Sequence, residues 1–197
     1  MKFKTKKGRI NSNQQPLTSS TDYIFLAMAS GLFFDPLVAL RALPLVSSTC
    51  TLLYARDQHF FFGTLRQPEL RTKARPLVSP YFAATFYRGL TFVVGVLGVT
   101  TWSSVANLYV HRPALQARQS FRWYVASAVL SASHLLFVPW IANSCKNLVH
   151  ANPDREGEDA AEAMDEWLWI NWVRMLTVDF AAWAVTAVAV TKTLRAD

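Results

Sequence analysis

Asn171, Arg174 and Asp179 are residues that remove protons or hold oxyanions, and all three lie in one strongly apolar run, DEWLWINWVRMLTVDFAAWAV, at 165–185. A carboxylate can serve as a general base. An amide and a guanidinium stabilise the enolate or oxyanion that a base creates, and they do so best in a dry pocket. A second group stands in TCTLLYARDQHFFFG, at 49–63, with Tyr54, Arg56, Asp57, Gln58 and His59. Asp57 and Asp179 are the carboxylates of these two runs, Asn171 and Arg174 the amide and guanidinium of the later one, and His59 their one histidine. Tyr54, His59, Asn147 and Trp167 are candidates for binding substrate. A charge at mid-bilayer costs about 2.5 to 3.5 kcal/mol, so such groups turn to a bundle interior or a wet cavity. On an ideal helical wheel Trp167, Asn171, Arg174 and Val178 share a stripe, while Asp179 points about 140° from Arg174. Asp179 is therefore expected to find its partner on another span, in Arg56, Tyr54 or a hydroxyl, and Arg174 in Asp57. The plainer alternative is that these are interfacial charges and structural pairs that hold a bundle together.

These residues need apolar elements to position them, and the composition supplies them. The chain has 197 residues, 52% hydrophobic and 17% charged, with a mean hydropathy of +0.16. A soluble domain carries about a quarter charged residues. Three runs, at 85–110, 121–145 and 167–190, each exceed the roughly 20 residues needed to cross the hydrocarbon layer, with Arg88 and Arg122 placed to snorkel. A further span is expected at 37–62, opened by Pro36 and carrying Pro44 inside it. Tyr23–Phe34 is too short to cross and reads as an interfacial or re-entrant helix, with a five-segment hairpin around Asp35-Pro36 as the alternative. The expected fold is an all-α polytopic membrane bundle of four transmembrane helices. Residues 1–21 form a basic tail, 22–193 a single domain and 151–166 an acidic loop.

Charge bears on orientation and partners. Lys2, Lys4, Lys6, Lys7 and Arg9 favour the cytosolic side. Four spans then place both termini there and the acidic loop, with Asp154, Glu156, Glu158, Asp159, Glu162, Asp165 and Glu166, in the lumen. The basic segment RQPELRTKARP at 66–76 runs against this scheme. The net charge of +7 reads as attraction to a membrane surface. No basic face with interleaved aromatics lies outside the spans, which argues against nucleic acid. No cleavable leader follows the basic start, so the first span is its own insertion signal. Cys50 and Cys145 read as two free buried thiols. The four histidines lack metal-ligand spacing, and His134 reads as a satisfied core or cavity residue. Gly95 and Gly98 in GVLG read as a small-residue packing site.

The four spans, the polar connection before the last one and the W-x3-N-x2-R element at Trp167, Asn171 and Arg174 resemble the anthrone-oxygenase-like family, small integral membrane proteins of fungal polyketide gene clusters. Pro139 and Asn147 in VPWIANSCKNLV stand nearest to that family's Pro and Asn before the loop. LPLVSSTCTLLYA is similar to its early helix of small and hydroxyl residues. The resemblance covers about 37–190. It implies oxygenation of a polyketide-derived intermediate in the membrane, by a monooxygenase or epoxidase with molecular oxygen as co-substrate and no metal, flavin or other cofactor. On that chemistry Asp57 or Asp179 is the candidate base, with Asn171 and Arg174 as oxyanion partners and His59 as a lesser candidate. The implied partners are the lipid bilayer and a hydrophobic small molecule, and the implied location is the endoplasmic reticulum. Two other functions suit the same residues: an epoxide hydrolase or cyclase using carboxylate acid–base chemistry, and a non-enzymatic membrane accessory protein.

Overall fold

In hydrocarbon every backbone N–H and C=O needs a partner within the protein, so the apolar runs fold as helices and neighbouring helices repair each break. The computed structural model describes residues 35–151 and 160–195, in seven α-helices. They are α1 (Pro36–Thr64), α2 (Pro68–Val110), α3 (Arg112–Ala117), α4 (Phe121–Ser133), α5 (Val138–His150), α6 (Ala160–Arg174) and α7 (Phe180–Leu194). A 3₁₀ turn, His134–Phe137, joins α4 to α5, and a π turn, Met175–Asp179, joins α6 to α7. Four continuous stretches are long and apolar enough to cross a membrane: Pro36–Thr64, Pro68–Val110, Phe121–His150 and Ala160–Leu194. The all-α bundle with four spans is thus present. The tail at 1–21, the short helix at 23–34 and the acidic residues 154–159 lie outside the described residues.

Two helices run beyond the expected segments. The helix that contains 85–110 already begins at Pro68, because Pro68 and Glu69 open a helix that absorbs the basic segment. With 43 residues it extends about 65 Å at 1.5 Å per residue, so part of it stands outside the hydrocarbon. The acidic connection becomes helical from Ala160, so Glu162, Asp165 and Glu166 belong to α6 and not to a loop. Asp165 sits within ion-pair range of Arg66 (2.5 Å) and Arg71 (3.0 Å). The basic and acidic segments therefore share one end of the bundle and offset each other, which explains how both fit on the same side.

Each break in the helices has a cause in the sequence. Pro44 has no N–H for the carbonyl of Leu40, four residues back, and Asn107 Nδ2 donates to that carbonyl at 2.7 Å. Pro139 likewise has none for Leu135, whose carbonyl accepts from the Val138 N–H in the 3₁₀ turn. The spans are joined by hydroxyls, as expected where apolar packing alone is weak. Thr100 donates to Ser47 (2.8 Å), linking α2 to α1. Ser127 meets Ser104 (3.0 Å) and Thr186 (2.6 Å), linking α4 to α2 and α7. From Leu37 onward the chain forms one compact unit. Phe62, Phe82 and Trp167 make its aromatic core at the end nearer the α1–α2 turn, with Trp167 edge-on to both phenyl rings at 5.3 Å. Each such pair adds about 0.5 to 1.5 kcal/mol beyond burial. GVLG is not a packing site: a Cβ on Gly95 or Gly98 would meet nothing within 4 Å.

Candidate active site

The last span is wound differently where its charges sit. In the π turn the Phe180 N–H donates to the Met175 carbonyl, five residues back. Residues five apart then stack on one face, which an α-helical wheel places far apart. Arg174 and Asp179 therefore meet within the same span: Arg174 Nε donates to Asp179 Oδ2 at 3.4 Å. This overturns the expectation that they could not pair within one helix. π turns of this kind are frequent at functional sites.

The other carboxylate oxygen is taken from the third span. His134 Nδ1 lies 2.7 Å from Asp179 Oδ1. Since a carboxylate accepts, Nδ1 carries the proton and Nε2 is the nitrogen available to other groups. The partner of Asp179 on another span is thus His134, not Arg56 or Tyr54. Arg174 Nη2 donates to Asn171 Oδ1 at 2.5 Å, and Asn171 Nδ2 donates to the Ala55 carbonyl of α1 at 3.1 Å. The chain of bonds runs Ala55–Asn171–Arg174–Asp179–His134 and ties three spans together. Asn171 is 0% exposed, Asp179 4%, His134 5% and Arg174 7%. A carboxylate and a guanidinium so deeply buried hold together only because each is the other's counter-charge and both have further hydrogen bonds.

His134 and Arg174 both line a cavity of about 130 Å³ between α1, α2, the third span and α6. Its other polar groups are Tyr54, Gln58, Thr85 and Cys145, and the remaining wall is aliphatic and aromatic, including Trp167. Tyr54 reaches in beside Gly89, where a Cβ would collide with its hydroxyl. Among the described residues, no group of three or more His, Cys, Asp or Glu is placed to hold a metal ion.

Of the residues singled out from sequence, Tyr54, Trp167 and Arg174 line this cavity, and Asn171 and Asp179 support it from behind. Three lie elsewhere. Asp57 is half-exposed and pairs with its neighbour Arg56 at 3.8 Å, so it has no access to Arg174. The face it shares with Cys50, Leu53 and Phe61 points away from the bundle, so Cys50 is exposed and not buried as expected, whereas Cys145 is buried. His59 lies against Trp172, with ring centroids 4.8 Å apart and the rings tilted by 32°, and lines an outer hollow near the α1–α2 turn. Asn147 is on the exposed face of α5. His134 is a satisfied cavity histidine, as expected, but its pairing with Asp179 was not foreseen. A lone ionisable side chain in the middle of a span, five residues before a proline that must break the helix, was the available signal.

The chain is 30% identical to the epoxidase gkaX of Penicillium citrinum over 144 residues, covering 73% of this chain and 88% of that protein. It is 29% identical to the epoxidase pydX of Acremonium sp over 159 residues, covering 81% and 96%. It is 27% identical to the probable epoxidase scpX of Mollisia scopiformis over 155 residues, covering 79% and 96%. The chain belongs to this fungal epoxidase family. That is consistent with the anthrone-oxygenase-like resemblance drawn from Trp167, Asn171 and Arg174. No family model and no solved structure matches the chain. The epoxidase family is one of oxygenases in fungal secondary metabolism.

Proposed function

We propose that the protein is a membrane oxygenase that epoxidises a carbon–carbon double bond in a polyketide-derived phenol or enol, using molecular oxygen and no bound cofactor. The observation that carries this reading is the pairing of a carboxylate-oriented histidine with a buried guanidinium on the wall of one apolar cavity, in a chain of the epoxidase family.

His134 Nε2 takes the proton of the substrate O–H or acidic C–H. Asp179 holds the imidazole in the required tautomer and offsets its charge once it is protonated. The substrate anion passes one electron to dioxygen, and the two radicals combine to a peroxide. Arg174 faces the cavity and stabilises the reduced oxygen as it becomes anionic, in surroundings dry enough for that charge to count. The O–O bond then breaks as one oxygen bridges the double bond. The departing oxygen collects the proton held on His134 and the substrate's second acidic hydrogen, and leaves as water. The substrate supplies both electrons, since the phenol or enol is dehydrogenated in the same turnover, and the equation closes without an outside reductant. The oxyanion-stabilising role expected of Asn171 becomes a positioning role, holding Arg174 from behind.

The endoplasmic reticulum is the membrane in which we place this chemistry. Expression in a polyketide-producing fungal host, followed by mass spectrometry with and without air, tests the reading. An oxygenase stops converting its substrate without oxygen. An epoxide hydrolase or cyclase using the same dyad continues, and that result overturns the proposal.

A further inference from the structure

The cavity is closed on one side and open on another. Phe62, Phe82, Cys145, Trp167 and Arg174 are buried and form its inner wall. Leu90 and Val94 on α2, with Leu135 and Val138 across from them, also line it, yet each is 47 to 54% exposed. Leu135 sits at the middle of the third span and Val94 near the middle of the second, so their outer faces meet hydrocarbon and not water. At that level the third span is a 3₁₀ turn, narrower than an α-helix and packed against α6.

Size adds a second constraint. A cavity of about 150 Å³ holds one benzene molecule, and this one measures about 130 Å³. A polyketide of ordinary size does not fit inside it. Only a ring-sized end can reach His134 and Arg174, and the rest must extend through the opening.

We infer that the protein takes its ligand sideways from the bilayer, through a portal framed by Leu90 and Val94 on one side and Leu135 and Val138 on the other. The ligand class is an apolar, bilayer-dissolved molecule whose reacting terminus is no larger than a single ring, with an extended remainder that stays among the lipid tails. The identity of the occupant as substrate rests on the epoxidase reading, whereas the portal itself rests on exposure and position. It follows that Leu90, Val94, Leu135 and Val138 set which molecules gain access, although none touches the reacting atoms.

The test uses the full chain in phosphatidylcholine vesicles with a trifluoromethylphenyl diazirine, a ring-sized apolar photolabel, dissolved in the bilayer. Adducts are mapped by mass spectrometry. Label is expected on Cys145 and Trp167 inside the cavity as well as on lipid-facing side chains. An aryl diazirine carrying a sulfonate, confined to water, should leave Cys145 and Trp167 unmarked. Val94→Trp fills the mouth and should lower the inner adducts severalfold while the adducts on Leu136 and Trp140, exposed on the third span, stay constant. Leu135→Ala widens it and should raise them. Inner adducts absent with the apolar label, equal with the charged one, or unchanged in both variants overturn the portal. Labelling requires no turnover, so the two readings fail separately. The expected pattern without any oxygenated product upholds the portal and removes the catalytic assignment.

Discussion

Replacing Asp179 by asparagine changes one atom pair and should disable the site through the tautomer of His134. Asp179 now accepts twice, from His134 Nδ1 at 2.7 Å and from Arg174 Nε at 3.4 Å. An asparagine has one acceptor and one donor in the same places. Arg174 Nε can only donate, so the amide oxygen must face it and the amide nitrogen must face His134. Nδ1 then has to be the unprotonated nitrogen, and the proton moves to Nε2, where the base is needed. Loss of a general base lowers turnover by about 10²- to 10⁴-fold. The variant also leaves a guanidinium that is 7% exposed without its counter-charge. Removing one partner of a buried ion pair costs about 3 to 5 kcal/mol. The assay is product formation per folded protein in isolated membranes, with abundance set by fluorescence-detected size exclusion and stability by thermal unfolding in detergent. Asp179→Asn is expected to be less stable and nearly inactive even at matched abundance. A variant that keeps more than half the activity per folded molecule would refute the tautomer argument.

Other substitutions separate positioning from chemistry. Asn171→Ala abolishes the bonds to the Ala55 carbonyl and to Arg174 Nη2, and a buried group left unsatisfied costs about 1 to 3 kcal/mol, so thermal stability in detergent and product yield should fall together. Gly89→Ala drives a Cβ into the Tyr54 hydroxyl, which lines the cavity, so the apparent KM should rise while the unfolding temperature hardly moves. Pro139→Ala restores an N–H for the Leu135 carbonyl and lets the 3₁₀ turn become α-helical; stability should hold or improve while activity falls as His134 is carried away from Asp179. Asp165→Asn weakens only the half-exposed contacts to Arg66 and Arg71, so stability should change by less than about 2 kcal/mol and product yield should be unaltered.

How far the molecule could be read from sequence follows from what each signal depends on. The four spans depend on length and apolar content, which are local, and they stand as expected. The helical extension ahead of 85 was not legible because 68–76 is too polar to look membranous, although Pro68 and Glu69 are sound helix openers. Asn171, Arg174 and Asp179 were visible because charge in an apolar span is costly and so calls for a partner. Their mutual geometry was hidden. A wheel assumes regular winding, and five residues of π turn rotate Asp179 back onto the face of Arg174. His134 was hidden for a different reason, since its contact with Asp179 spans 45 residues of sequence and crosses between helices. Asp57, His59 and Asn147 have suitable chemistry, but which side of a helix faces the bundle is decided by its neighbours, and these three face outward or elsewhere.

The most direct measurement follows labelled dioxygen into product in membranes containing the natural chain or His134→Gln, at equal abundance. The account predicts label in the epoxide oxygen with the natural chain, and almost none with the variant. Product that forms without label, or label that persists undiminished when His134 is replaced, contradicts it.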